Sequence, residues 1–143
     1  VGASDIKRSK TMIRLKKLIR ESQSIPSIEL LTDKLERFQD ETNHTDWYMQ
    51  GGCYSFAAAL SQVLQGSQII LIGDNISDLV HACVLWKGKY IDYNTVSSNV
   101  QDITSDVALE GAPNTRVGKL SDISGEHNFD PTEVKKIVAS LLS

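Results

Sequence analysis

Hydrophobic positions recur along this chain with a helical period at both ends and group into short strand-length runs in the middle. In residues 8–22, Met12, Leu15, Leu18 and Ile19 fall on one side of a 3.6-residue period, with basic residues around the rest; this predicts an amphipathic helix. Ser24-Ile25-Pro26 breaks it, and Ile28, Leu31, Leu35 and Phe38 predict a second helix starting near Ser27. Residues 40–52 are polar and turn-rich around Trp47-Tyr48-Met49, and are expected to form a loop folded back over a site. Cys53, Phe56, Ala57, Leu60 and Leu64 then recur as the buried face of a third helix, with Gly66 at its end. Residues 68–72 and 79–86 read as strands, Lys87-Gly88 as a tight turn and residues 89–93 as a returning strand.

Residues 97–125 are rich in Ser, Asp, Asn and Gly, with one strand expected near 115–120. The last element is clearer. Asp130-Pro131-Thr132-Glu133 supplies a cap, a first-turn proline and a third-position glutamate ahead of Val134, Ile137, Val138, Leu141 and Leu142. No repeat or low-complexity tract is present. The order predicts an α+β fold in which a central helix packs on a short antiparallel sheet and a C-terminal helix closes the domain.

Composition narrows this picture only slightly. A length of 143 residues suits one domain, spanning 1–143, with a real core. The longest apolar run, Ile69-Ile70-Leu71-Ile72, is of strand length, so no membrane span is expected, and no secretory leader pattern is present. The missing initiator Met suggests a processed product or a domain of a longer protein. Two cysteines make no disulfide scaffold, so reduced thiols and a cytoplasmic site of action are expected. His44, His81 and His127 have no ligand spacing, so neither a metal nor a cofactor is expected. Residues 1–20 carry seven basic side chains against Asp5 alone, although the whole chain has a net charge of −3. That segment reads either as a solvated helix face or as a docking element for an acidic partner, an anionic membrane or the acidic remainder of the chain. It lacks the interleaved aromatics of a nucleic-acid surface, so no nucleic acid is expected as a partner.

The candidate chemistry lies in three residues. A thiol attacks as thiolate, which the positive end of a helix and a neighbouring imidazole both favour. Cys53 opens a helix, and Gly51-Gly52 before it clears side chains from the approach, so that a substrate backbone can come close. Taken alone, Cys53 reads as core, since free cysteine is among the most buried residue types. His81 alters that balance, because it lies in the otherwise apolar run Leu79-Val80-His81-Ala82-Cys83-Val84-Leu85-Trp86 and needs a hydrogen-bond partner there. Asp92, in Tyr90-Ile91-Asp92-Tyr93, has the same need. A two-residue turn at Lys87-Gly88 pairs Trp86 with Lys89 and Cys83 with Asp92, which makes His81 and Asp92 diagonal neighbours on one face; a three-residue turn separates them. Cys83 shares that face but lacks a helix N-terminus, and reads as core.

Gly51-Gly52-Cys53-Tyr54-Ser55-Phe56-Ala57-Ala58-Ala59-Leu60, His81-Ala82-Cys83-Val84 and Gly88-Lys89-Tyr90-Ile91-Asp92 together resemble the papain-like/transglutaminase-like core. In that core a Gly-x-Cys-x-x-Phe-Ala helix start precedes a strand with His-Ala and then a strand ending in Asp. The resemblance covers roughly residues 50–95 and implies Cys-His-Asp catalysis by Cys53, His81 and Asp92. Papain-like proteases place a Gln about six residues before the cysteine as oxyanion donor. That position here is Trp47, with Gln50 nearer, and either side chain has an N–H to offer. The expected activity is acyl transfer at a protein amide, as a cysteine (thiol) protease, a deamidase or a transglutaminase, with a lean toward a hydrolase. Size, the basic leading segment and the missing Met also resemble a bacterial effector or toxin domain, for which an inhibitory or immunity protein is expected as partner. The competing expectation is a catalytically inactive papain-like fold serving as a protein-binding module.

Overall fold

The structure, a computed structural model, describes residues 24–43, 47–48, 51–73, 79–106, 114–126 and 128–143. The basic helix expected over residues 8–22 lies outside them, as does Gln50. Helix α1 spans Ile28–Thr42 and starts where Ser27 accepts a hydrogen bond from the Leu30 N–H. It runs into the segment expected to be a loop, because Asp40, Glu41 and Thr42 continue its polar side until Asn43 turns left-handed at φ 50° and closes it. Trp47 and Tyr48 are also helical.

Helix α2, Cys53–Val63, is buried nearly all round rather than along one stripe, from Cys53 to Leu60 without a break. Ala57, Ala58 and Ala59 permit this, since small side chains let neighbours close in on several sides. It ends at Val63, earlier than Gly66 suggests. Strands β1 (Gln68–Gly73), β2 (Leu79–Trp86), β3 (Lys89–Ile91), β4 (Val96–Ser97) and β5 (Thr115–Gly118) form one antiparallel sheet in the order β4-β3-β2-β1-β5. Ala82, Val84, Trp86 and Ile91 join the main core with α2, while Cys83, Ile70 and Ile72 form a smaller cluster with Ile103. Ile103 belongs to helix α3 (Gln101–Asp106), which together with β4 and helix α4 (Leu120–Ile123) was not evident in the pattern of residues 97–125. Helix α5, Pro131–Leu142, is capped by Asp130, which accepts from the Thr132 N–H, and packs Val134, Ile137 and Leu141 inward. Glu133 does not close a capping box; its carboxylate accepts a 2.7 Å hydrogen bond from the Tyr48 hydroxyl.

The fold is therefore α+β, a five-stranded antiparallel sheet with helices. No helix among the described residues is long and apolar enough to cross a membrane.

Candidate active site

The hairpin joining β2 and β3 sets the site's geometry. Lys87 and Gly88 both have positive φ, 49° and 76°, the backbone of a two-residue turn that matches strand twist. Trp86 pairs with Lys89, Leu85 with Tyr90 and Val84 with Ile91, so the register is the even one. One step further, His81 Nε2–H donates to Asp92 Oδ2 at 3.0 Å. The second carboxylate oxygen accepts from the Asn94 N–H at 2.9 Å, and the Asp92 N–H donates to Thr95 O. The carboxylate is thus held on both oxygens just past the end of β3. Tyr93, the next residue, stacks on Tyr48 at 4.7 Å and meets Phe56 and Phe38 edge-on, which ties this strand end to α1 and to the first turn of α2.

His81 is fully buried and Asp92 is 2% exposed. Burial by itself pulls the imidazole's pKa down. Hydrogen bonding to Asp92 and to Cys53, with the charge of both, outweighs it and raises the pKa to about 9. Cys53 thus lies beside the same ring. The two residues meet at the margin of the sheet, where β3 has ended and a bulge between Ile72 and Gly73 makes the ladder skip Val80.

Cys53 itself is 2% exposed. It opens α2 directly after Gly52, which as the N-cap residue has no side chain to offer the first-turn N–H groups. The space left by the two glycines is filled, contrary to the sequence-based expectation of an open approach. A Cβ on Gly52 would run into the ring of Trp47, and one on Gly51 into the carboxamide of Asn128. Trp47 is 39% exposed. Asn128 had no sequence signal: it is brought over the site by the chain's return into α5, where the Asp130 N–H donates to the buried Ser55 Oγ at 3.0 Å. Cys83 is fully buried, and burial, then the charges of Asp92 and Cys53, push its thiol pKa far up. It belongs to the smaller core cluster.

A groove of about 530 Å³ lies further along α2, between Ala58, Gln62, Leu120, Phe129 and Val134, away from the thiol. Among the described residues no group of three His, Cys, Asp or Glu side chains converges as metal ligands. Compared with protein families, curated proteins and solved structures, the chain matches no family model, no curated protein and no solved structure.

Proposed function

We propose that this chain is a papain-like/transglutaminase-like cysteine enzyme in which Cys53 is the nucleophile, His81 the base and Asp92 the residue that orients it. The observation that carries the reading is the buried His81–Asp92 pair with the Cys53 thiol beside it at a helix start that follows a glycine. With Nε2–H donated to Asp92, Nδ1 of the neutral ring is the basic nitrogen. A raised imidazole pKa equips His81 to take and hold the proton that the thiol gives up on attack. The sulfur attacks an amide carbon, the carbonyl pair moves to oxygen and returns to expel the amine, and the amine takes a proton from His81. Water, or a second amine, then releases the thioester.

The substrate in this reading is a protein amide, hydrolysed in the manner of a peptidase or deamidase. Trp47 and Gln50 remain the oxyanion candidates from the stretch before the cysteine. A toxin or effector role with cytoplasmic action and an inhibitory partner belongs to the same proposal. The burial of Cys53 supports a second reading, an inactive papain-like fold that binds protein. Incubation with p-nitrophenyl acetate separates the two: acylation mapped by mass to Cys53 and abolished in Cys53→Ala is expected for the enzyme. An inert Cys53 in the folded protein favours the binding module.

A further inference from the structure

We infer that Asn128 is a substrate-contacting donor of this site, its carboxamide N–H holding the carbonyl oxygen that gains charge when Cys53 attacks; this rests on the acyl-transfer reading. Three observations place it there. Its amide nitrogen is the atom nearest the missing side chain of Gly51, two residues before the nucleophile. Its loop is registered to the nucleophile's own helix turn, because the Asp130 N–H is held by Ser55, a fully buried hydroxyl two residues after Cys53. The Phe129 N–H to Glu126 O bond and the Asp130 cap of α5 fix the loop on either side. Asn128 is exposed, so its amide can turn to an incoming group without breaking into the core.

Trp47 covers the neighbouring Gly52 in a different way, presenting ring carbons to it rather than its indole nitrogen. A substrate backbone entering over Gly51-Gly52 meets the Asn128 carboxamide first, with its nitrogen nearest Gly51. As the sulfur–carbon bond forms and the carbonyl pair moves to oxygen, the Asn128 N–H and the helix-start N–H groups receive that charge. When the pair returns, the bond to the leaving group breaks, His81 supplies that group's proton, and the oxygen held by Asn128 is again a neutral carbonyl, now of the thioester.

The test uses two probes on wild type, Asn128→Ala and Asn128→Asp: p-nitrophenyl acetate, whose attack creates an oxyanion, and iodoacetamide at pH 6, whose displacement at carbon does not. Acylation of Cys53 is expected to fall by about 10²-fold in Asn128→Ala while alkylation changes by less than about twofold. Asn128→Asp, which keeps the shape but loses the donor, is expected to match the alanine variant. Unchanged acylation in Asn128→Ala overturns the inference, as does faster acylation (a mere cover) or a parallel loss of both reactions (a mere support). Absence of acylation in the wild type itself removes the acyl-transfer reading and this inference with it, and is recognised before any variant is made.

Discussion

His81 and Asp92 are both buried, so the imidazole relies on the carboxylate, and the carboxylate on the imidazole and the Asn94 N–H. Removing one partner of such a pair leaves the other uncompensated. Asp92→Ala is therefore expected to destabilise the fold by about 3–5 kcal/mol in urea denaturation, far more than an exposed carboxylate would. An equally stable variant would show that the pair contributes little. The same pair makes stability depend on pH. His81 titrates at about 9 in the folded chain and near 6.5 when unfolded. Its stabilising contribution is thus fully present below pH ~6.5 and is lost as pH rises through about 9, amounting to roughly 3 kcal/mol. The Cys83 thiol, held far above this window by burial, stays neutral throughout. Urea midpoints between pH 6 and 9.5 should fall in wild type, with this component absent from His81→Ala.

Among the elements, the β2–β3 hairpin matters most, because its turn decides whether His81 and Asp92 share a face. Gly88 sits at φ 76°, where a Cβ is strained against the backbone, and Gly88→Ala is expected to cost about 1–2 kcal/mol by thermal or urea unfolding. A neutral effect would mean that the turn adapts and the register is held elsewhere. The hairpin could be read from residue order because strand alternation has period two, which makes register a matter of parity once Lys87-Gly88 is taken as the turn. Helix α5 was equally legible through Asp130 and Pro131. Three short elements were not, since α3, α4 and β4 span six, four and two residues and cannot display a period. The two helices bury one isoleucine each, Ile103 and Ile123, which look incidental in a polar sequence. The extension of α1 to Thr42 was hidden for a related reason: an exposed helix end is polar, as a loop is.

At the scale of the whole molecule, the candidate site is assembled from three separate stretches: the start of α2, the β2–β3 hairpin and the loop leading into α5. Residue order exposed the first two, because a cysteine at a helix start and two ionisable side chains in apolar strands each pose a local chemical problem. It did not expose the third. Asn128 looks like any polar loop residue until Ser55, 75 positions earlier, fastens its loop over Gly51. The aromatic cluster of Phe38, Tyr48, Phe56 and Tyr93 does similar work from below, joining α1, α2 and the end of β3. The most direct test of the account is the pH dependence of Cys53 alkylation by iodoacetamide in wild type and in His81→Ala, with Cys83 as internal control. The Cys53–His81 pairing predicts that Cys53 reacts readily at pH 6 while Cys83 does not, and that His81→Ala slows it there by on the order of 10²-fold, as expected when a nucleophile loses its base. A Cys53 as inert as Cys83, or one indifferent to the loss of His81, would contradict the account and leave a buried core thiol in a domain that binds rather than catalyses.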